Sequence, residues 1–305
     1  DVTTALEPQR LIALEDADAT PEEGFLQRVA RFTRQSPLGA VSAVLLLLII
    51  VVGVLAPVLA PYDPLAASYS ATRQPPGGEH LLGTDHLGRD TLSRILYGTR
   101  ITMLVAVTAV LVGDAIGFLW GVATGYLSGR FDILSQRVVE VLMSLPGVIL
   151  ALLLLVALGS GIQTVIIAIA VTRVPGTTRI IRSVALAVRE LSYVEAARGL
   201  GASNWRVILR HVAPQCVAPM LVLISLNLGS AILTEAGLSF LGVGIPPPAP
   251  SWGNMLGGVL AEAFKPPWWM VVFPGLALTL TIMATNLLGD ALRDFLDPRL
   301  SRVLR

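Results

Sequence analysis

Apolar runs interrupted by short polar segments fill most of the chain. They cover roughly 38–59, 101–126, 134–158, 162–174, 214–236 and 268–292. All but the fourth reach the ~20 residues a helix needs to cross ~30 Å of hydrocarbon. A backbone in hydrocarbon must satisfy its own hydrogen bonds, so it is either helical or part of a closed barrel. Runs this long, apolar on every face, select helices. The pattern predicts an all-α fold, a polytopic transmembrane helical bundle of six spans. Pro57 and Pro61 are expected to end span 1. Pro146 lies inside span 3, and Gly159-Ser160-Gly161 turns the chain into span 4. Pro175-Gly176 is expected to kink or end span 4, because proline removes a helical donor and crowds the preceding turn.

The polar segments differ in character. The first 36 residues lead with acidic residues and hold no early apolar run, which argues against a cleaved signal peptide. Thr20-Pro21-Glu22-Glu23 has the form of a helix start. Phe25, Val29 and Phe32 then share one face, with Arg28, Arg31 and Arg34 interleaved. This suits a short helix on an anionic membrane surface, or a solvated tail. Residues 60–100 form a loop rich in Pro and Gly, and a loop with Pro246, Pro247, Pro248 and Pro250 precedes span 6. A short helix near 252–264 is expected there. The most charged interruption runs from Arg173 to Arg210. In it Ser192 and Glu195 form a capping-box pattern, Gly201 breaks the helix, and Ser203 caps a second helix running into span 5 at Pro214. The product is a helix–turn–helix knob, or a solvated hairpin with no partner. The chain has no internal sequence repeat.

Charged residues make up 14% of the 305 residues, against about 25% in an ordinary soluble domain. The net charge of +1 gives no reason to expect nucleic acid, and the single Cys216 excludes an internal disulfide. The only lysine, Lys265, precedes Pro266. A phosphate-binding loop needs a lysine after its glycines, so the chain has no Walker A segment and is not expected to be an enzyme. Any ATP must act from another subunit. With a cytoplasmic N-terminus, seventeen basic residues fall in inside segments and five in outside ones. The positive-inside rule therefore places both termini and the charged knob in the cytoplasm.

Several residues are candidates for function. Gly113, Gly117, Gly121 and Gly125 recur every four residues in span 2, a ladder that admits close approach of another helix. That contact is either a moving one or static packing. Asp114 beside it is an intramembrane carboxylate, by default a functional residue; it meets a substrate cation or a partner helix. Asn227, Glu235, Asn286 and Asp290 either line an aqueous path or satisfy neighbouring backbone. Glu79, His80, Asp85, His86 and Asp90 are metal ligands by type, but they match no metal-site spacing. The stretch 82–94 reads equally as turns before a capped helix, and no metal is expected.

The knob resembles the Glu-Ala-Ala loop of ABC importer permeases. Glu195, Ala196, Ala197, Gly201 and Pro214 fall in register with that pattern, while His211 and Ala213 depart from it. Three further stretches are similar to the C-type permease subunit of dipeptide and oligopeptide importers. They are Leu82-Gly83-Thr84-Asp85-His86-Leu87-Gly88-Arg89-Asp90; Leu238-Ser239-Phe240-Leu241-Gly242 with Pro250-Ser251-Trp252-Gly253; and Asn286-Leu287-Leu288-Gly289-Asp290 with Leu296-Asp297-Pro298-Arg299-Leu300. The resemblance covers roughly residues 37–300.

It implies a type I ABC importer permease fold in the cell inner membrane. A cytoplasmic tail at 1–37 precedes a transmembrane permease domain at 38–300, whose cytoplasmic coupling loop occupies about 176–213. A short cytoplasmic tail follows at 301–305. The partners implied are a second, homologous permease subunit, two ABC ATPase subunits that carry ATP and Mg, an extracytoplasmic peptide-binding protein, and membrane lipid. No cofactor is expected on this chain. Glu195, Ala196, Ala197, Arg198, Leu200 and Gly201 are implied as the ATPase-coupling segment, and the loop around Trp252 is implied to face the binding protein or pore mouth. Short peptides are the implied substrate; importers of nickel complexes or glutathione share similar subunits. Other classes are a stand-alone ion-coupled secondary transporter, for which Asp114 is the mid-span candidate, and a membrane scaffold.

Overall fold

A computed structural model describes residues 25–262 and 265–296, and every regular element among them is helical. The helices are α1 (Phe25–Gln35), α2 (Pro37–Val54), α3 (Ala56–Leu59), α4 (Thr91–Leu127), α5 (Gly129–Ser144), α6 (Gly147–Leu158), α7 (Ile162–Arg189), α8 (Ser192–Gly199), α9 (Asn204–Val207), α10 (Ala213–Phe240), α11 (Trp252–Glu262) and α12 (Trp268–Leu296). A π-helical turn, Ile208–Val212, joins α9 to α10. Thr20 to Glu23 and the stretch from Asp297 onward lie outside the described residues.

Five helical segments are long and apolar enough to cross a membrane alone: α2, α4, α7, the α9–α10 rod and α12. The crossing expected at 134–158 is not one straight helix. α5 and α6 meet at an 89° bend. Leu145, just before Pro146, is extended (φ −96°, ψ 135°), because a residue preceding proline is pushed out of the helical region. α6 has twelve residues, about 18 Å of helix, and cannot cross by itself. Six crossings are reached only when the bent pair counts as one.

Pro175 does not end span 4. α7 runs through it to Arg189, so the first part of the expected cytoplasmic loop is helix. The cause is packing against α4, with which α7 makes the most extensive contact in the molecule. A Cβ at Gly113 would stand 2.5 Å from Ala170 O, at Gly117 2.8 Å from Thr177 Cβ, at Gly121 2.7 Å from Thr178 O and at Gly125 2.6 Å from Ala185 Cβ. The glycine ladder thus lies directly on α7 on both sides of Pro175, and this tertiary contact overrides the local breaker.

α4 begins where Asp90 caps it, its carboxylate accepting from Ser93 N and Ser93 Oγ at 2.8 Å each. Asp85 accepts from Leu87 N and Arg89 N, at 2.8 and 2.9 Å, and from Arg89 Nε at 2.6 Å. His80 Nδ1 stands 2.9 Å from Asp90 Oδ1. Asp85 and Asp90 therefore hold the loop before α4 and the helix start. The short helix α11 leans on α4: Trp252 is 1% exposed, and its Nε1 donates to Ile95 O at 3.2 Å. The Trp252 ring itself seats over Gly98.

Two apolar clusters fill the bundle. One joins α4, α6, α7 and α10 through Val105, Val110, Leu155, Ile169 and Ile232. The other joins one end of α4 and α7 to the knob. Outside them α2 exposes Leu38, Val41, Val44, Leu47 and Leu48, a surface suited to lipid. α1 packs back through Phe32, which meets Phe295 edge-on at 5.4 Å.

Candidate functional site

The knob is built from α8, a tight turn and α9. The capping box expected at Ser192 is not formed: α8 starts there, but no side chain caps it. Leu191 is the N-cap, and Val194 N and Glu195 N bond its carbonyl instead, at 2.9 and 3.1 Å. The turn forms at Gly201, with φ +80°, a conformation that favours glycine. Ser203 caps α9, accepting from Arg206 N at 3.4 Å. Val194, Val207 and Val212 are 0% exposed and anchor the knob against Val122 and Tyr126 of α4, Ile181 and Ala185 of α7, and Cys216 of α10. Arg198 stacks over the Tyr126 ring at 4.9 Å, and Tyr126 Oη bonds Asn204 Oδ1 at 3.1 Å. Large apolar side chains face outward, with Leu200 89% exposed, Trp205 70% and Leu209 64%, beside the exposed Arg206 and Arg210. Glu195, Ala196 and Gly201 are exposed beside them, with Ala197 and Arg198 half-buried.

The turn under the knob is also fixed. Ser128 has φ +53°, unusual for a residue with a Cβ. Arg189 donates to Tyr126 O at 3.2 Å and to Ser128 Oγ. Arg182 forks onto Asp132, with both bonds at 2.6 Å, and so ties α7 to α5.

A polar cluster crosses the interior. Asp114 is 0% exposed. It accepts from Thr177 Oγ1 at 2.6 Å and from Asn227 Nδ2 at 2.9 and 3.0 Å. Asp114 belongs to α4, Thr177 to α7 and Asn227 to α10, so one carboxylate links three helices. Arg173 of α7 donates to Ser230 and Thr234 of α10, at 2.7 and 3.1 Å. Reading Arg173 as the start of a water-exposed loop missed it. The available signal was a lone charge at the end of an apolar run, with Asn227, Ser230 and Thr234 at helical spacing in another.

Glu235 lies elsewhere. It is 0% exposed and accepts from Ser239 Oγ at 2.8 Å, so it does not line an open path in this conformation. Asn286 and Asp290 are exposed on α12, where Asn286 abuts Gly229.

An apolar bundle with a buried polar cluster and a knob at one end defines a polytopic membrane protein. Residues 117–302 match the family described as binding-protein-dependent transport system inner membrane component. Residues 24–76 match the N-terminal TM domain of oligopeptide transport permease C. The chain is 44% identical over 260 residues to a Brucella suis biovar 1 protein named for a peptide transport system permease, covering 85% of this chain and 87% of that one. It is 42% identical over 286 residues to the glutathione transport system permease protein GsiD of Escherichia coli O1:K1 / APEC, covering 93% of both. An inward-facing structure of the MetNI methionine ABC transporter shares the fold, with TM-score 0.54 at 18% identity over 70% of this chain and 97% of that chain. The chain belongs to the binding-protein-dependent transport system inner membrane component family and is a multi-pass, inner-membrane permease component of the ABC importer type.

Proposed function

We propose that this chain forms half of the translocation pore of an ATP-driven importer of short peptides. The other half is a homologous permease, and an extracytoplasmic binding protein delivers the substrate. Two ATPase subunits bind ATP and Mg and seat the segment Glu195–Gly201 in a groove. The observation that carries this reading is the knob: a crest of Leu200, Trp205 and Leu209 is left open to solvent on a base that is fully buried. A projection with large exposed side chains on a buried base is the shape that transmits a partner's closure to the helices beneath it. Peptide is the substrate favoured by the permease C match and by the names of the relatives.

Both termini and the knob are assigned to the cytoplasm. With Arg173 now inside a span, the basic count is seventeen less one, or sixteen inside against five outside, still strongly asymmetric. The path is assigned to the half-buried polar face of Arg173, Asn227, Ser230 and Thr234, with Asp114 buried behind it.

The test uses proteoliposomes with this chain, a partner permease, the ATPases and the binding protein. Leu200 makes little contact within the chain, so Leu200→Asp leaves the fold intact while removing ATPase docking and ATP-dependent uptake. Gly201→Trp has the same effect by distorting the turn. Full uptake in both variants overturns the coupling assignment. Uptake driven by a proton gradient with no ATPase present overturns the importer reading itself.

A further inference from the structure

Arg173 lies well inside α7, a membrane-spanning helix. A charge at such depth is costly and faces a partner charge or a water-filled path. The guanidinium is held by two neutral hydroxyls, those of Ser230 and Thr234. Their own hydrogens are committed to the α10 backbone, Ser230 to Asn227 O at 3.0 Å and Thr234 to Ser230 O at 2.8 Å. Both oxygens are thereby turned to Arg173 as acceptors, and the fork is fixed in one orientation.

The arginine is nevertheless incompletely matched. Among the described residues, none of the ion pairs within 4 Å involves it, and its Nε has no hydrogen-bond partner. Asp114 acts on it electrostatically, but the oxygens of Asp114 are already engaged by Thr177 and Asn227. The surroundings are open on one side. Arg173, Asn227, Ser230 and Thr234 are all half-buried, and nothing stands within 4 Å of a Cβ placed at Gly176. Asn227, Ser230 and Thr234 recur at i, i+3 and i+7, one face of α10. A half-open polar face carrying a fixed cation does not belong against lipid tails.

We propose that Arg173 receives a free carboxylate of the transported molecule as it passes between the two permease halves. This rests on the peptide-import reading above. A guanidinium has five N–H donors, so Nη1 and Nη2 each keep a second N–H beyond those on Ser230 and Thr234 to offer a carboxylate in a charge-assisted hydrogen bond. Asp114 behind it limits the net positive charge, so the carboxylate is held and then released. A transport path requires sites that bind weakly enough to let go.

The experiment uses the complete reconstituted complex and radiolabelled dialanine, as the free acid and as its C-terminal amide. Uptake of each is normalised to the amount the binding protein holds. The wild type is expected to favour the free acid by about tenfold or more, the worth of a hydrogen bond to a charged group. Arg173→Gln is expected to bring that ratio close to one, chiefly through KM. Arg173→Lys, which keeps the cation, is expected to retain most of the preference. An acid-to-amide ratio near one in the wild type overturns the proposal, whether or not the variants assemble. So does an unchanged ratio in Arg173→Gln. Uptake of neither peptide by the wild type overturns the peptide reading itself, and this inference with it.

Discussion

Gly121→Ala is the sharpest test of the α4–α7 contact. A Cβ at Gly121 would meet Thr178 O at 2.7 Å, Ile181 Cβ at 2.9 Å and Arg182 N at 3.1 Å. Ordinary contact begins near 3.4 Å, so the closest approach is short by about 0.7 Å. Two of those three atoms are backbone and cannot rotate away. The helices must separate along their length, and Gly117 and Gly125 on either side lose their seats. Overpacking of this kind costs about 1–3 kcal/mol. The better helix propensity of alanine returns up to ~1 kcal/mol. The net loss is about 0–2 kcal/mol, or up to ~3 °C in the unfolding midpoint of a chain of 305 residues.

Gly176→Ala is the matched control. Nothing lies within 4 Å of its Cβ, so it gains propensity and loses no contact. Cys216 supplies the readout. It is the only cysteine and is 0% exposed beside Val122 and Ile181. A thiol-reactive fluorophore added to the detergent-solubilised chain therefore reports opening of that cluster during heating. The midpoint is kinetic, so all variants are compared at one heating rate. If Gly121→Ala melts with Gly176→Ala or above it, the ladder is not a tight contact and the account of how Pro175 is tolerated fails with it.

The remaining predictions use the same assay. Asp132→Asn breaks the buried fork to Arg182 and is expected to cost about 1–2 kcal/mol. Arg137→Ala, which removes an ion pair whose side chains are 73% and 60% exposed, is expected to move the midpoint by less than ~0.5 kcal/mol. Equal effects would refute the distinction between them. Trp252→Ala opens a cavity against Gly98 and is expected to cost about 3–5 kcal/mol. Trp252→Phe loses chiefly the hydrogen bond to Ile95 O, about 1 kcal/mol; a loss as large as that of Trp252→Ala would show that the bond, not the packing, seats α11.

The apolar runs were readable because a membrane-spanning helix writes its length directly into composition. The glycine spacing likewise announced a close contact, though not its partner. Breakers were harder. Pro146 and Pro175 look alike in sequence, yet one bends the chain by 89° and the other lies inside a continuous helix. The difference lies in what packs alongside: α4 clamps α7, while Leu145 has no comparable neighbour and is exposed. Long-range polar partners were hardest. Asp114 and Asn227 each stood out alone, but nothing local joins residues so far apart in the chain, and Thr177 and Arg173 were hidden in a segment read as loop. His211, where the knob departs from the family pattern, falls in the π-helical turn Ile208–Val212. A wide turn of that kind depends on one extra residue of register, which residue types do not announce.

The two sites are mechanically joined. The knob's buried base touches α4, α7 and α10 at one end, and the Asp114 cluster touches the same three helices in the middle. Between them α4 and α7 are locked by backbone-to-backbone contact at Gly113, Gly117, Gly121 and Gly125, which leaves little room for the pair to slide. A force on the knob therefore moves α4 and α7 as one body. α10 joins the pair both through apolar packing at Ile232 and Cys216 and through hydrogen bonds to Asp114 and Arg173, and its knob-side rod includes a π-helical turn. Hydrogen bonds exchange partners at small cost when water or a ligand is present, whereas interlocked backbones do not. The contact between the α4–α7 pair and α10, where Arg173 sits, is on this ground the one that holds exchangeable polar bonds.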